Sequence, residues 1–239
     1  MADADRPISR LEAWFRDHEP DETIVPAATV VIVRDSPAGI ETLMLHKNSK
    51  LAFGGMWVFP GGRIDDEDRD GATSAEDAAR RAAVREAAEE ADLVVSPDAL
   101  AWIAHWTPPA LTPRRFATWF FVGPAPSEGT VTVDGGEIHD AAWMAPADAI
   151  ARRDEGGIEL APPTWVTLAY LRQFGTVAAL MADAQARVPE VFETRMGRSA
   201  GDLVAMWAGD AGYEAGDPMI DGPRHRLVMT ATTWRLERT

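Results

Sequence analysis

The sequence predicts a protein of the α/β class, because segments with the pattern of strands alternate with segments with the pattern of helices. Residues 28–33 form a continuous apolar run rich in β-branched side chains, and residues 41–46 follow after a turn containing Pro37 and Gly39. This pattern is typical of a β-hairpin. An alanine-rich segment with helical spacing then occupies residues 75–91. The chain is therefore expected to combine a β-sheet with packed helices.

The same alternation continues after the alanine-rich segment. Aromatic-rich strands are predicted at 101–106 and 116–122. A helix that begins with a proline is predicted at 146–153, and a further helix from the Pro-Pro-Thr-Trp segment at 162–165 to about residue 182. Nothing in this part of the chain predicts an internal repeat.

Composition limits the classes of function. The formal net charge is −15 over 239 residues, and lysine occurs only at Lys47 and Lys50, which argues against a nucleic-acid partner. The absence of cysteine excludes disulfides, thiolate catalysis and cysteine-bound zinc. The first residues lack the apolar core of a secretory signal, and no run reaches the length of a membrane span. A cytoplasmic location without a membrane partner is expected.

The alanine-rich helix carries a concentrated acidic face. Glu86, Glu89 and Glu90 are three or four residues apart, so their carboxylates lie on one side of the helix. Like charges at this spacing repel by roughly 0.2–0.5 kcal/mol per pair, and a hard divalent cation such as Mg²⁺ relieves that repulsion. On the helix alone, a solvated acidic face is the favoured interpretation. The helix is expected to start with a cap formed by Thr73 or Ser74.

Residues before this helix add a second signal. Gly61 and Gly62 follow a short apolar strand, at a place where the backbone can approach a ligand closely. Together with the acidic helix they resemble the Nudix box, Gly-x5-Glu-x7-Arg-Glu-U-x-Glu-Glu-x-Gly-U, where U is aliphatic. The residues that match in register are Arg85, Glu86, Glu89, Glu90 and Leu93.

The match departs from the family pattern in three respects. Asp77 occupies the place of the first glutamate, and Asp92 that of the last glycine. Residues 63–76 supply fourteen positions between Gly62 and Asp77, where the family pattern has five. Such an extended box resembles the Nudix branch that includes coenzyme A diphosphatases.

The resemblance implies a Nudix-like α/β/α sandwich with a mixed sheet, which hydrolyses a nucleoside diphosphate linked to another moiety. It implies Mg²⁺ or Mn²⁺ as cofactor, held by Glu86, Glu89 and Glu90 with the Gly62 carbonyl as a further ligand. Arg85 is grouped with the catalytic residues, and is expected to orient one glutamate or Asp77 through a bidentate pair. Which carboxylate takes the proton is left open.

Two later segments supply further candidates. Glu137 lies in a segment that resembles the family's late strand, and is a candidate fourth metal-directed carboxylate or general base. An exposed turn glutamate is the alternative. Arg114 and Arg115 end a proline-rich loop that begins at residue 107. They are candidates for binding substrate phosphate or carboxylate groups because guanidinium offers bidentate donors, with plain surface charge as the alternative.

Three regions are expected along the chain. They are an N-terminal helical arm at 1–22 with a helix at 8–18, a Nudix hydrolase domain at 23–183, and a C-terminal extension at 184–239 packed on the domain. The extension is expected to contain helices at 189–196 and 200–207 and a closing strand within 226–236. The resemblance covers roughly residues 24 to 180.

Several alternatives stay open at this level. Residues 66–77 match the twelve-position spacing of a calcium loop, although a strand and a glycine turn precede them instead of a helix. A Nudix domain that senses a nucleotide without cleaving it is a second class of function. Coenzyme A, acyl-CoA, ADP-ribose, reduced dinucleotides and dinucleoside polyphosphates all remain candidate small-molecule substrates. The oligomeric state is undetermined, with a homodimer among the expected states.

Overall fold

A computed structural model describes residues 23–48, 54–110, 115–133 and 135–239. The arm predicted at 1–22, with its helix at 8–18, lies outside these residues. The chain divides into two compact units. The larger unit joins Pro26–Trp106 to Ala117–Phe192, and the smaller unit includes Glu193–Thr239. The predicted domain bounds at 23–183 and 184–239 stay predictions.

A large sheet forms the centre of the larger unit. Its strands are β1 (Ile24–Ser36), β2 (Gly39–Lys47), β3 (Trp57–Val58), β4 (Gly61–Arg63), β5 (Ala101–Thr107), β6 (Arg115–Pro124), β7 (Ile138–Met144) and β8 (Glu190–Glu193). The strand order is β3-β2-β1-β6-β5-β8, with β4 paired to β1 and β7 paired to β2. The predicted hairpin and the two aromatic-rich strands are confirmed as β1–β2, β5 and β6.

Helices surround this sheet. They are α1 (Asp66–Arg69), α2 (Ala75–Ala91), α3 (Pro146–Asp154), α4 (Pro162–Leu171) and α5 (Val177–Ala186), with a 3-10 turn at Pro97–Ala99. The prediction of a single helix running to about residue 182 is wrong, because helix α4 ends at Leu171 and a second helix, α5, begins at Val177. The Thr176 side chain accepts a hydrogen bond from the Ala179 N–H and thereby caps the new helix.

Both faces of β1 are buried. Ala28, Val30 and Ile32 belong to the core cluster that includes the alanines of α2. Val31 and Val33, which point to the opposite face, are fully buried as well. A strand buried on both faces requires cover on both sides of the sheet, so the predicted α/β class and Nudix-like layering are confirmed.

Helix α2 lies close to the sheet because its inward face consists of small side chains. The buried alanines are Ala78, Ala79, Ala82, Ala83, Ala87 and Ala91. Ser74 is the N-cap and its side chain accepts from the Asp77 N–H, so the second of the two predicted starts is the one used. Asp92 ends the helix in the left-handed conformation with φ 55°. Asp tolerates that conformation better than most residues.

The smaller unit contains an antiparallel four-stranded sheet. Its strands are β9 (Arg195–Ser199), β10 (Asp202–Met206), β11 (His225–Met229) and β12 (Trp234–Arg238), paired in chain order. The predicted helices at 189–196 and 200–207 are therefore wrong. Ala200 and Gly201 both have positive φ, and the two-residue turn that they form joins β9 to β10 as a hairpin. The range 226–236 of the single predicted closing strand contains most of β11 and the first three residues of β12.

In the described part of the chain, no helix has both the length and the apolar character required to cross a membrane.

Candidate active site

Strand β4 and helix α2 bring Glu90 to the backbone of the double glycine. The Gly61 N–H donates to Glu90 Oε2 at 2.9 Å. Lys47 Nζ, at the end of β2, lies 3.4 Å from Glu90 Oε1. Glu90 is only 5% exposed, so a backbone dipole and an ammonium group replace the water that a carboxylate normally binds.

Glu86 lies against the second glycine of the pair. A Cβ atom added to Gly62 would be 2.2 Å from Glu86 Oε1, a distance that real Cβ atoms do not reach. Gly61 is more firmly constrained, because a Cβ there would be 2.6 Å from the Ala28 carbonyl oxygen of β1. Glycine is therefore required at Gly61, and at Gly62 the absence of a side chain leaves room for the Glu86 carboxylate beside the strand.

Arg85 links the carboxylates of α2 to the inserted segment. Its Nη1 donates to Glu86 Oε1 at 2.9 Å and to Glu89 Oε2 at 3.0 Å. On the other side, Arg85 Nε and Nη2 donate to the two carboxylate oxygens of Asp68, at 3.2 and 2.9 Å. Nη2 also donates to the Arg63 carbonyl oxygen of β4 at 2.9 Å. This fork fixes the guanidinium, which in turn orients the two glutamates.

Asp68 is a site residue that the sequence reasoning missed. It lies in α1, within the residues inserted relative to the family pattern, and is 5% exposed. Burial alone would raise its pKa, but the hydrogen bonds from Arg85 and the Asp65 N–H, together with the charges of Arg85 and Arg69, outweigh burial and lower the pKa. The available signal was the Asp65-x-x-Asp68 spacing, since the Asp65 N–H donates to Asp68 Oδ2 and so starts α1.

Asp77 does not take the part that its place in the box suggested. Its carboxylate accepts from the Thr73 N–H at 2.9 Å and pairs with Arg81 at 3.2 Å. The Thr73 N–H is the main cause of its lowered pKa. The bidentate pair of Arg85 is with Asp68, so the alternative that Arg85 orients Asp77 is wrong, whereas the expected contact with glutamates is present.

Asp68→Asn is expected to lower kcat about tenfold and to change KM little, because an uncharged amide anchors Arg85 less firmly. Asp77→Asn is the matched control, since it neutralises the aspartate paired with Arg81, and it should stay within about twofold of the parent chain. Steady-state kinetics of both variants and of the charge-conserving Asp68→Glu provide the comparison. A larger loss for Asp77→Asn than for Asp68→Asn would contradict the assignment of Asp68 as the positioning acid.

The two glutamates that approach the glycines are electrostatically perturbed. Burial raises the pKa of Glu90 to about 7, an effect that Lys47 and the Gly61 N–H oppose and the nearby Glu86 reinforces. The pKa of Glu86 is also raised, first by burial and then by Glu89, while Arg85 opposes the shift. Crowded, partly desolvated carboxylates of this kind are typical of a site built to receive positive charge.

The metal-free protein is expected to lose stability as the pH rises through about 7. An unfolded Glu has a pKa of about 4.3, whereas the pKa of Glu90 in the folded protein is raised. The contribution of Glu90 to the free energy of unfolding is therefore fully present below the unfolded pKa, and it is lost as the pH rises through the folded pKa. The loss from Glu90 amounts to about 3 kcal/mol. Melting temperatures between pH 5 and pH 8 in the presence of a chelator measure it. Glu90→Gln should flatten the dependence, and equal slopes for variant and parent would contradict it.

Glu137 approaches the glutamates of α2 through Lys47. Lys47 Nζ lies 3.8 Å from Glu137 Oε2 as well as 3.4 Å from Glu90 Oε1. The backbone is held nearby, since the Asn48 N–H donates to the Glu137 carbonyl oxygen at 2.8 Å. The structure therefore places Glu137 beside the same lysine as Glu90, with its own side chain 60% exposed. Its role as metal ligand or base stays a prediction.

Lys47 is the second residue that the sequence reasoning did not assign. Its sequence signals are its scarcity, since it is one of two lysines, and its place directly after a predicted strand. Arg114 lies outside the described residues. Arg115 Nε donates to the Pro108 carbonyl oxygen at 3.1 Å, which fixes one end of the loop between them. Substrate binding by the two arginines stays a prediction.

The calcium-loop alternative for residues 66–77 is wrong. Its first positions form helix α1 instead of an open loop. Asp68 is bound by Arg85, and Asp77, at the last position, is bound by Arg81 and the Thr73 N–H. The aspartates that would occupy the third and twelfth positions are thus already neutralised by protein groups.

The donor set of the site suits a hard divalent cation. Among the described residues, no three histidine or carboxylate side chains are grouped as a metal site. Arg85 and Lys47 pair with carboxylate oxygens of α2. The groups themselves are carboxylates beside a glycine backbone, which are the oxygen ligands that Mg²⁺ and Mn²⁺ prefer. The carboxylates of α2 would therefore fit such a cation.

The fold, together with a helix whose arginine and glutamates lie beside the Gly61–Gly62 backbone, defines a Nudix domain. The family model described as NUDIX domain matches residues 23–163, which is more than half of the chain. The chain belongs to the Nudix family and is a Nudix hydrolase. Enzymes of this family generally use divalent metals and act on nucleoside diphosphate derivatives.

Solved structures with this fold include a NUDIX hydrolase from Alicyclobacillus acidocaldarius, with 23% identity, a TM-score of 0.62, and coverage of 70% of this chain and 99% of that chain. The NUDIX domain of Shewanella oneidensis NrtR, complexed with ADP ribose, has 17% identity, a TM-score of 0.48, and coverage of 67% and 96%. A C. elegans Ap4A hydrolase binary complex has 24% identity, a TM-score of 0.41, and coverage of 63% and 99%. The first structure shows similarity of fold alone, and the other two, with TM-scores below 0.5, support no further conclusion. Comparison with curated proteins finds no match.

Proposed function

We propose that this chain is a Mg²⁺-dependent hydrolase that cleaves the diphosphate linkage of a nucleoside diphosphate derivative, with coenzyme A or an acyl-CoA as the first substrate candidate. Mn²⁺ is the alternative cofactor. The observation that carries the proposal is the seating of Glu86 and Glu90 on the Gly61–Gly62 backbone. This geometry concentrates carboxylate charge at a point where no side chain of β4 blocks the approach of a metal and a substrate.

The proposed ligands are Glu86, Glu89 and Glu90, with the Gly62 carbonyl and Glu137 as further candidates. A bound divalent cation supplies neutralisation of the diphosphate charge and acidification of a water molecule. Arg85 acts as a positioning residue, because its guanidinium is fixed by Asp68 and holds Glu86 and Glu89.

The proposed reaction adds one water molecule across the diphosphate. The oxygen of water forms a bond to one phosphorus atom, the bridging P–O bond breaks, and each product keeps one of the two phosphates of the diphosphate linkage. The proton of water passes to a carboxylate of the site. Glu137, whose side chain is 60% exposed beside Lys47, is the candidate acceptor. Arg114 and Arg115 are the proposed contacts for the substrate's anionic groups.

The choice of coenzyme A rests on the extended box. The residues between Gly62 and Asp77 are not an irregular loop, since they form α1 and supply Asp68 to Arg85. The insertion thus contributes a side chain to the proposed site, as expected for a branch of the family with an extended box. The substrate itself is inferred by analogy to that branch.

Product analysis after incubation with Mg²⁺ and a substrate panel tests the proposal. The panel contains coenzyme A, an acyl-CoA, ADP-ribose, NADH, diadenosine polyphosphates and an oxidised nucleotide. Cleavage of coenzyme A to a phosphopantetheine and an adenosine bisphosphate is the expected result. Cleavage of ADP-ribose or NADH alone would keep the diphosphate chemistry and overturn the substrate. Tight binding of one member without cleavage of any would favour a nucleotide sensor.

A further inference from the structure

In the described part of the chain, Lys47 is the cationic side chain paired with Glu90, and its backbone is fixed. The Lys47 N–H donates to the Met56 carbonyl oxygen at 3.1 Å, and its own carbonyl oxygen accepts from the Gly55 N–H at 2.9 Å. On the other side, Lys47 pairs with Ile138 of β7, where the register shifts by a bulge. The backbone of Lys47 is therefore held by neighbouring segments on both sides, while its four-carbon side chain can rotate.

The ammonium of Lys47 lies between two carboxylates. It is 3.4 Å from Glu90 Oε1 and 3.8 Å from Glu137 Oε2, and the lysine side chain is 15% exposed. The Glu90 side chain is 6% exposed, so its charge is compensated here by protein groups. Glu137 is 60% exposed, so the cluster opens to solvent on that side.

A divalent cation and an ammonium group cannot both contact Glu90 Oε1 without strong mutual repulsion in this poorly hydrated place. We propose that Lys47 is an exchangeable counter-ion of the candidate metal site: its ammonium neutralises Glu90 and Glu137 in the metal-free protein and is displaced when a divalent cation binds. Lys47 thereby sets how tightly the site holds its metal. This inference rests on the proposed function, because it concerns the same carboxylates.

The counter-ion has two consequences. In the metal-free protein, the ammonium of Lys47 compensates the charge of the buried Glu90 carboxylate, which stabilises the folded state before metal binds. It also weakens metal binding, because part of the attraction between metal and glutamates is used to displace the lysine. Arginine could not withdraw as readily, since its planar fork binds a carboxylate through two hydrogen bonds.

Mn²⁺ titration of the metal-free protein, followed by the electron paramagnetic resonance signal of free Mn²⁺, tests this inference without substrate or turnover. Lys47→Met is expected to bind Mn²⁺ about tenfold more tightly than the parent chain. Lys47→Gln should do the same while keeping a hydrogen-bond donor for Glu90, and guards against a failure of Lys47→Met to fold. Lys47→Arg should bind no more tightly than the parent.

Arg235→Met is the matched charge control. Arg235 is 72% exposed and pairs with Glu237 in the smaller unit, so its loss changes the net charge equally. Its Mn²⁺ affinity should stay within about twofold of the parent, since exposed charges are screened. An equal tightening in this variant would overturn the inference in favour of a general effect of net charge.

The outcomes separate this inference from the proposed function. Equal or weaker Mn²⁺ binding by folded Lys47→Met and Lys47→Gln, with a parent that binds Mn²⁺ and cleaves a diphosphate, would overturn the counter-ion alone. Tighter binding by both variants in a protein that cleaves no member of the panel would support the counter-ion and overturn the hydrolase proposal. Absence of Mn²⁺ binding by folded parent and variants would overturn both.

Discussion

Glu90→Gln is expected to reduce kcat about 100-fold or more, because it removes a buried charge that the proposed metal needs. Gln has nearly the same shape as Glu, and its amide oxygen still accepts from the Gly61 N–H that now donates to Glu90 Oε2 at 2.9 Å. The fold should therefore survive, and the loss should report chemistry. Steady-state hydrolysis of the best substrate of the panel, in the presence of Mg²⁺, measures the effect.

Glu76→Gln provides the matched control on the same helix. Glu76 lies in the first turn of α2, pairs with Arg80, and is 38% exposed. Its substitution should leave kcat within about twofold of the parent, since an exposed helix pair contributes little. Retention of more than about a third of the activity by Glu90→Gln would contradict the assignment of Glu90, because no group essential to charge neutralisation can be lost at so small a cost.

Arg226→Met is expected to destabilise the smaller unit by about 3–5 kcal/mol. Arg226 donates through Nε and Nη2 to both oxygens of Asp210, each at 2.6 Å, and its side chain is 5% exposed while that of Asp210 is fully buried. Two backbone N–H groups, of Gly212 and His225, also donate to Asp210. Burial alone would raise the pKa of Asp210, but these bonds lower it to about 2. Methionine would therefore leave a charged, buried carboxylate without its main partner.

Hydrogen exchange over β10 is the direct measurement for this prediction, because two compact units need not unfold in one step. Arg235→Met serves again as control, since its ion pair with Glu237 is exposed at the arginine and worth about 0–1 kcal/mol. A loss below about 1 kcal/mol for Arg226→Met would show that the buried pair is dispensable to the sheet formed by β9–β12.

The acidic face of α2 was predictable because it depends on local spacing. The three- and four-residue intervals that place Glu86, Glu89 and Glu90 on one side are properties of any helix. The extent of α2 followed to within a few residues from the alanine periodicity and from two candidate caps, Thr73 and Ser74, of which the structure uses Ser74. The hairpin β1–β2 followed in the same way from apolar runs around a turn.

The failures of prediction concern segments whose structure depends on distant partners. Residues 200–207 contain enough helix-forming residues to suggest a helix, yet β10 pairs with β9 on one side and with β11 on the other. Hydrogen bonds to two neighbouring strands and burial of Leu203–Met206 outweigh the local propensity. The positive φ of Ala200 was not visible in the sequence either.

The sequence by itself determined the α/β class, the Nudix box and the face on which its glutamates lie, because each depends on periodicity or on short-range motifs. Only the tertiary structure decided which groups neutralise those glutamates. Asp68 contacts Arg85, which is 17 positions later in the chain, and Lys47 of strand β2 contacts Glu90 of helix α2. Spacing within a helix cannot encode such contacts, since they arise when β2, α1 and α2 pack together and bury charges that then require partners.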